Sequence, residues 1–353
     1  MVASKLVLFI DMDYFFAACE ELRHPEFKSK ALVVGTSPIS KKEKGVVQTC
    51  NYEARKFGIH SAMPTMQALK LNPDIVYLES DDAYYSEISS RVMKLLKDYG
   101  FNTEVISIDE AALELNDLDY KNSEKIGIEI KEKIKKEIGL PCTIGISIGK
   151  VYAKMICDES KPNGLGILRD NKLKEFLKDK SMDKLLGVGR KTSDKLKQMK
   201  INTIGELGKA DPNVLVEKFG EFGKELFLLA NGIDNSRVIA SYSILSIGRE
   251  RTFDKDTKDF GEIENMADKL CKEVMTELNK NNMWFRGISV KAKYSDFSEH
   301  IKNKKLNNYT DSFDLLYNTS MQLIKELVKD KNLRKIGVRT YELEAKKGQR
   351  RLS

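Results

Sequence analysis

Two stretches decide the fold, residues 5–13 (KLVLFIDMD) and residues 103–115 (TEVISIDEAALEL). The first is a short run of large apolar residues, which predicts a buried strand rather than a signal peptide. The second predicts a strand or a tight hairpin. Both carry carboxylates where the apolar pattern should continue, and a carboxylate in such surroundings is costly unless it is neutralised.

Working outward, the pattern predicts further elements around these stretches. Residues 82–99 and 123–138 are typical of helices, and residues 142–148 of a third buried strand. The order is therefore strand, helix, two strands, helix, strand, which is the split βαβ pattern. Residues 14–79 are then an insertion after the first strand.

The rest of the chain divides by its pattern. Strand signals vanish from residue 172 to residue 232, which predicts an all-helical part. Residues 233–243 form a polar, extended connector. From residue 244 the order strand, helix, two strands, helix, strand returns without sequence repetition. The fold class is thus α+β and multidomain, as 353 residues allow.

The acids predict a metal site. Asp11, Asp109 and Glu110 would meet on adjacent antiparallel strands, where their mutual repulsion requires a cation. Oxygen ligands favour Mg²⁺ or Mn²⁺, and two such ions suit phosphoryl transfer. Asp13 we interpret as a solvated strand-end residue. Strict alternation would put Asp109 and Glu110 on opposite faces, so a bulge or a strand end is needed there.

Groups that could hold a triphosphate follow the first acids. Thr49, Tyr52 and Arg55 lie in one short strand–turn–helix, with Tyr52 and Arg55 on one helix face. Lys161 lies in a turn set by the Pro-Asn-Gly that follows it. These signals are weak singly, because such spacings are common on surfaces.

A helix-hairpin-helix is predicted at residues 185–208, which contain the turn Gly187-Val188-Gly189. Its glycines would let backbone N–H groups reach a DNA phosphate, and Arg190 and Lys191 add charge. A plain αα-turn is the alternative.

Charge also points to a polyanion. The chain carries 60 Lys and Arg against 53 Asp and Glu, and residues 245–353 hold 23 against 17. The basic C-terminal segment, including Arg249 and Arg251, is therefore expected to bind the polyanion. An ordinary lysine-rich surface is the alternative interpretation.

The scarcity of cysteine and histidine and the lack of long apolar runs exclude several other classes of protein. Five scattered cysteines without C-x-x-C argue against disulfides and structural zinc, and for a reducing cytoplasm. Three histidines leave little for zinc hydrolysis or a Ser-His-Asp triad. No apolar run is long enough for a membrane span, so no membrane partner is expected.

Five ordered motifs resemble one family, the Y-family or lesion-bypass DNA polymerases of the DNA polymerase IV type. The motifs span residues 9–196 and are FIDMDYFFAACEE, NYEARKFGIHSAMP, SIDEAALEL, GISIGKVYAKMICDESKPNG and LLGVGRKTSDKL. The resemblance implies a right-hand polymerase with a split-βαβ palm (1–13 and 80–171), small fingers (14–79), an all-α thumb with the helix-hairpin-helix (172–232), a linker (233–243), a C-terminal βαββαβ little finger (244–348) and a tail (349–353).

The resemblance also implies roles for single residues. Asp11 and Asp109 resemble the shared ligands of two Mg²⁺ ions, Glu110 the third catalytic carboxylate, and Met12 a ligand through its backbone carbonyl. Phe16 resembles the aromatic steric gate that excludes the ribose 2′-hydroxyl. The remaining residues that resemble nucleotide-binding positions are Tyr14, Thr49, Tyr52, Arg55 and Lys161.

The chain departs from the family at three positions. Ala112 stands for the usual Tyr, Glu114 for the usual Asp, and Gly149 for the usual Asn. None removes a metal ligand, but Ala112 is expected to loosen packing beside the acids. In the tail, Gln349 and Leu352 have the spacing of half a sliding-clamp peptide, but no aromatic pair follows. A clamp therefore stays open as a partner, and we favour an unrelated tail.

The expected function is template-directed DNA synthesis across lesions, adding dNMP to a primer 3′-hydroxyl with low fidelity and no proofreading. Primer–template DNA and dNTP are the expected partners of a monomer. Two alternatives remain: a nucleotide cyclase or signalling-nucleotide synthase on a similar palm, and a catalytically silent DNA-binding protein. The first would not need a DNA hairpin, and the full set of acids argues against the second.

Overall fold

The computed structural model describes residues 5–35, 45–240, 243–328 and 331–346. It divides into two compact units, Met1–Ser241 and Tyr242–Ser353. Within the described parts of the chain, no helix has the length and apolarity needed to cross a membrane.

The first unit is built on a five-stranded sheet of order β5-β6-β1-β7-β8. Its central strand β1 runs antiparallel to both β6 and β7, and β8 lies parallel to β7. The order of the elements confirms the predicted split βαβ pattern, with β8 as an added edge strand that the pattern did not predict. The bounds are β1 Leu6–Met12, α4 Asp82–Lys97, β5 Asn102–Val105, β6 Glu110–Leu115, α5 Tyr120–Glu137, β7 Cys142–Ile148, α6 Lys150–Glu159 and β8 Leu165–Leu168.

Strand β1 is buried along its whole length because both of its faces are covered. Leu8 and Ile10 pack into a core with α4 and α5. Phe9, on the opposite face, packs against Ala153 of α6. A strand covered on both faces needs apolar residues at successive positions, which explains the continuous run in the sequence.

The insertion after β1 contains a small sheet of order β3-β2-β4. Strand β4 pairs in parallel with β2 and, like helix α3, was not predicted. The bounds are α1 Phe15–Arg23, β2 Leu32–Gly35, β3 Val47–Cys50, α2 Tyr52–Arg55, α3 Thr65–Leu71 and β4 Val76–Glu79.

Residues 170–230 are helical and contain no strand, as expected. The predicted hairpin differs on its N-terminal side. The stretch before the Gly-Val-Gly turn, predicted to be helical, is a three-residue 3₁₀ turn, Met182–Lys184. The helices are α7 Asp170–Lys178, α8 Arg190–Gln198, α9 Ile204–Leu207, α10 Pro212–Phe219 and α11 Glu221–Ala230.

The connector lies against the five-stranded sheet and helix α6, beside Gly149 and Ala112. A Cβ on Gly149 would lie 2.7 Å from Asp234, whose carboxylate caps α6 by accepting from the backbone N–H of Val151 at 2.8 Å. Val238 is buried in one cluster with Ala112. Ala112 is fully buried. The looser packing expected beside the acids stays a prediction.

The second unit repeats the βαββαβ order, as predicted. Its four strands form an antiparallel sheet of order β11-β10-β12-β9, and both helices belong to the core that covers one face. The bounds are β9 Ser246–Thr257, α12 Phe260–Lys280, β10 Met283–Tyr294, β11 Glu299–Thr310, α13 Phe313–Leu327 and β12 Leu333–Ala345.

The close contact between β7 and α6 makes Gly145 a test of this packing. A Cβ there would lie 2.1 Å from the carbonyl oxygen of Ala153 and 2.5 Å from the backbone nitrogen of Cys157. We expect Gly145→Ala to lower the free energy of unfolding of the first unit by about 1–3 kcal/mol, because backbone must move. Calorimetry is the suitable measurement, since the single tryptophan, Trp284, lies in the second unit.

Gly189→Ala is the matched control, because a Cβ at Gly189 meets nothing within 4 Å and its φ is −81°. Its unfolding should match that of the wild type. Equal unfolding of Gly145→Ala and Gly189→Ala would refute the close-packing argument.

Candidate active site

A cleft of about 310 Å³ lies where β1 ends and β6 begins, beside the inserted sheet. It brings together most of the predicted catalytic and nucleotide-binding residues. The lining residues are Asp11, Met12, Tyr14, Phe15, Phe16, Gln48, Thr49, Arg55, Ser61, Asp109, Glu110, Lys154 and Lys161.

The three acids converge because a pairing register and a turn place them together. Asp11 of β1 is the register partner of Glu110, the first residue of β6. Asp109 precedes that strand, in the turn between β5 and β6, and its carbonyl accepts from the N–H of Met12 at 2.9 Å. Asp109 therefore escapes strand alternation, which resolves the predicted conflict between its direction and that of Glu110.

Two lysines offset the charges of Asp11 and Glu110. The ammonium of Lys154 lies 3.1 Å from Asp11 Oδ2 and 2.6 Å from Glu110 Oε1. Lys161 approaches the same Asp11 oxygen at 2.6 Å. The sequence predicted Lys161 but not Lys154, whose only signal was its spacing of four residues from Asp158.

The charge environment acts differently on the two paired acids. Burial opposes ionisation of Asp11, but Lys154 and Lys161 outweigh it and hold the pKa of Asp11 below its usual value. Burial raises the pKa of Glu110, and Lys154 offsets this only in part. Burial would lower the pKa of Lys154, yet the surrounding carboxylates raise it. Lys154 is therefore cationic in this cleft.

The donor set fits a hard divalent cation. Within the described ranges, no group of three or more His, Cys, Asp and Glu side chains is arranged as a ready-made metal cage. One cation, the Lys154 ammonium, nevertheless bridges Asp11 and Glu110. Carboxylate oxygens that already share a positive charge are suitable ligands for Mg²⁺ or Mn²⁺.

Asp13 is not a solvated strand-end residue, so that interpretation is wrong. It is 1% exposed and accepts hydrogen bonds from the Thr143 hydroxyl at 2.8 Å and from the Asn163 backbone N–H at 2.7 Å. Burial raises its pKa, and these two bonds oppose that rise. Asp13 thus anchors the turn that carries Lys161.

The predicted phosphate-binding groups are positioned by Asn51, which the sequence analysis missed. Asn51 is 2% exposed, and its side-chain amide oxygen accepts from the backbone N–H groups of Leu32 and Ala54, each at 3.0 Å. It thereby caps helix α2 and ties it to β2. An Asn immediately before a helix is the signal that could have found it.

Thr49 and Arg55 line the cleft on this side. Tyr52 flanks the cleft instead of lining it: the Arg55 guanidinium lies 4.7 Å from its ring centroid, and its ring meets that of Tyr14 edge-on at 5.2 Å. Gln48 and Ser61 are further lining residues that no sequence signal indicated.

The three successive aromatic residues take different roles. Phe15 is in the core, with 3% of its surface exposed. Phe16 faces the cleft and stacks on Tyr85, with centroids 4.7 Å apart. Tyr85 is fully buried and donates to Glu20 at 2.7 Å, so Phe16 has a rigid support.

The residues predicted to bind DNA lie in both units, and each set is described by itself. In the first unit, Gly187 has a φ of +87° and Gly189 caps α8, whose Arg190 side chain is 95% exposed. Lys191 is also exposed. The local geometry leaves this turn accessible to a phosphate.

In the second unit, the two predicted arginines are ion-paired. Arg249 lies 3.1 Å from Glu277 and Arg251 lies 3.0 Å from Glu273, both of α12. Their DNA contacts stay a prediction. A groove of about 430 Å³ on this sheet also includes Lys291 and Arg339, which the sequence analysis did not single out.

Removal of the Asp13 carboxylate should expose its anchoring role. Asp13→Ala leaves the Thr143 hydroxyl and the Asn163 N–H without their acceptor, so we expect a loss of about 1–3 kcal/mol in stability. Asp13→Asn keeps one acceptor oxygen and should lose less. Chemical unfolding followed by circular dichroism compares them, and equal stability of Asp13→Ala and wild type would contradict the assignment.

Comparisons with known proteins agree with this architecture. Residues 10–158 match the family model described as impB/mucB/samB family, residues 245–353 its C-terminal domain, and residues 183–234 the DNA polymerase-iota thumb domain. The chain is 34% identical over 342 residues to DNA polymerase IV of Methanoculleus marisnigri, covering 97% of this chain and 95% of that protein. It is 37% identical over 332 residues to DNA polymerase IV of Lactococcus lactis subsp. cremoris, covering 94% and 91%.

Solved structures give the same assignment. A Y-family DNA polymerase chimera of Dbh and Dpo4 superposes with a TM-score of 0.90 at 32% identity, covering 97% of this chain and 100% of the chimera. An insertion ternary complex of Dbh DNA polymerase gives a TM-score of 0.69 at 32% identity and the same coverage. With the paired acids of the cleft and the element order of both units, these matches show that the chain belongs to the Y-family of DNA polymerases, of the DNA polymerase IV type.

Proposed function

We propose that this DNA-directed DNA polymerase catalyses addition of dNMP to a primer 3′-hydroxyl with Asp11, Asp109 and Glu110 as its catalytic carboxylates. Family membership carries the activity and its use in translesion synthesis. The observation that supports the site is the register pairing of Asp11 with Glu110, which places both acids with Asp109 in one cleft. A cyclase or a silent DNA-binding protein is not favoured.

Polymerases of this family depend on divalent metal ions, and the number and identity of the ions belong to the proposal. We assign two Mg²⁺ ions, with Mn²⁺ as a substitute, to Asp11, Asp109, Glu110 and the Met12 carbonyl. When bound, such ions lower the pKa of the primer hydroxyl and neutralise the triphosphate. The protein's own share is to fix the carboxylates in position before the substrate arrives.

The nucleotide would lie between the acids and the inserted sheet. Lys161 and Arg55 supply positive charge, and the Thr49 hydroxyl supplies a donor, for the triphosphate. Tyr14 and Tyr52 pack beside it. Phe16, held against Tyr85, faces the sugar and would exclude a 2′-hydroxyl by contact.

The larger parts are assigned by the same proposal. The five-stranded sheet is the palm, residues 14–79 the fingers, residues 172–232 the thumb, residues 233–243 the linker and residues 244–348 the little finger. Gly187, Gly189, Arg190 and Lys191 would hold backbone phosphates, and the second unit would add Arg249 and Arg251. Primer–template DNA and dNTP are the partners; a monomeric state remains a prediction.

Two further expectations rest on the sequence. The Gln349 and Leu352 spacing lies outside the described residues, so a sliding clamp stays an open partner. A reducing cytoplasm also stays a prediction. The five cysteines are free and buried, and burial raises the pKa of the Cys142 thiol to about 12.

Asp109→Ala should abolish templated primer extension in Mg²⁺ while DNA binding persists. We expect the rate to fall by more than about 100-fold, because even changes beyond the first shell of ligands reach that size. Glu114→Gln is the matched control, since Glu114 lies on β6, the strand that Asp109 precedes, and pairs with Lys5 at 2.8 Å outside the cleft. Equal extension by wild type and Asp109→Ala would refute the site assignment.

Phe16→Ala should admit ribonucleotides. Loss of the ring removes the contact with a 2′-hydroxyl, and we expect the preference for dNTP over rNTP to drop by at least about tenfold. Single-nucleotide incorporation with dNTP and rNTP measures the ratio. Phe57→Ala is the control, because Phe57 is 50% exposed and does not line the cleft. An unchanged ratio of dNTP to rNTP incorporation in Phe16→Ala would refute the role of Phe16 as a steric gate.

A further inference from the structure

Among the charged residues that line the described cleft, Lys154 is the one to which the proposed reaction assigns no role. It projects from α6, and its side chain is only 16% exposed. Its ammonium is held by three carboxylates: Asp11 at 3.1 Å, Glu110 at 2.6 Å and Asp158 at 3.0 Å. A lysine with this many acidic partners is fixed in position, so its location needs a reason.

The supporting elements make that position rigid. Helix α6 lies so close to β7 that Gly145 has no room for a Cβ. The N-terminus of the helix is capped by Asp234 of the connector. The ammonium also lies 5.1 Å from the centroid of the Phe9 ring. Lys154 is therefore held beside the acids by a helix packed into the core and not by a mobile surface segment.

Electrostatics explains what Lys154 does without metal ions. Asp11 and Glu110 lie on adjacent strands and are partly or wholly buried, so their charges repel at short range. Lys154 is the cation that contacts both, whereas the Lys161 ammonium is paired with Asp11 and Asp158. Lys154 thus supplies the positive charge that offsets the repulsion between Asp11 on β1 and Glu110 on β6.

A divalent cation would compete with the Lys154 ammonium for the carboxylates of Asp11 and Glu110. Mg²⁺ lies about 2.0–2.1 Å from each ligand oxygen. An ion held by Asp11 and Glu110 would be close to the Lys154 ammonium, which contacts both carboxylates, in a partly dry cleft where like charges repel strongly. Asp158, which is 48% exposed and one helical turn away, can keep the ammonium once it leaves.

We propose that Lys154 is a built-in counter-ion that occupies the acid pair in the metal-free protein and moves to Asp158 when divalent cations bind. Lys154 then stabilises the unliganded palm and competes with the metal. The inference rests on the proposed function, because it takes Asp11 and Glu110 as metal ligands. Helix α6, which carries Lys154, then controls the metal affinity of the site as well as catalysis.

The test measures Mn²⁺ binding to the full chain without DNA or nucleotide, by electron paramagnetic resonance of free Mn²⁺. Lys154→Met keeps the apolar stem and removes the charge. We expect its Mn²⁺ dissociation constant to fall by about tenfold, since a close like-charge contact in such a cleft is worth at least that factor. The midpoint of thermal unfolding of Lys154→Met in EDTA should be lower than that of the wild type. Saturating Mn²⁺ should reduce this difference between the two midpoints.

Lys150→Met is the matched control. Lys150 lies one turn earlier on the same helix, is 15% exposed and pairs with Glu104 at 2.8 Å. This variant should lose stability equally in EDTA and in Mn²⁺ and bind Mn²⁺ within about twofold of the wild type, a difference smaller than 0.5 kcal/mol. If Lys154→Met does not fold, Lys154→Gln takes its place with the same expectation.

Each outcome decides the inference. Unchanged or weaker Mn²⁺ binding by the Lys154 variants would overturn it, as would equal tightening in Lys150→Met. Absence of Mn²⁺ binding in all variants would also overturn it. The proposed function is judged separately, by Mg²⁺-dependent primer extension of the wild type against Asp109→Ala, so either proposal can fail without the other.

Discussion

Repulsion between buried carboxylates is the constraint on which the catalytic unit depends. Asp11 and Glu110 are partners in the β1–β6 register, and Asp109 lies in the adjoining turn. Such an arrangement is stable only with compensating positive charge. The surrounding structure supplies it twice, from Lys154 on α6 and from Lys161 on the turn anchored by Asp13. The cleft is therefore ready for cations and a polyanionic substrate.

That requirement explains why helix α6 is held so firmly. The helix holds Lys154 at a fixed position over β1, and three features fix the position of the helix. Gly145 allows backbone contact with β7, Asp234 caps the N-terminus, and Val238 seals the cluster around Phe9. The connector is thus a structural part of the catalytic unit as well as a link between domains. It packs against Gly149 through Asp234 and joins the cluster of Ala112 through Val238.

The inserted sheet solves a different problem, which is to hold cationic and aromatic groups opposite the acids on short elements. Helix α2 has only four residues and could not be stable alone. Asn51 ties it to β2 through two hydrogen bonds, and Phe16 is supported by the buried Tyr85. Rigid support matters here because phosphoryl transfer depends on positioning more than on covalent chemistry.

The sequence by itself determined the strand, helix, two strands, helix, strand order of the main elements in both units and the identity of the acids, but not β4, β8 or α3. Buried strands and amphipathic helices have their own periods, and a carboxylate that interrupts an apolar strand is visible without a structure. It could not determine contacts between residues distant along the chain. The register that pairs Asp11 with Glu110, the burial of Asp13 against Asn163, the parallel strand β4 and the approach of Lys154 are all of this kind. Only the tertiary structure decides them, because they depend on which surfaces meet after the chain has folded, and not on local preference.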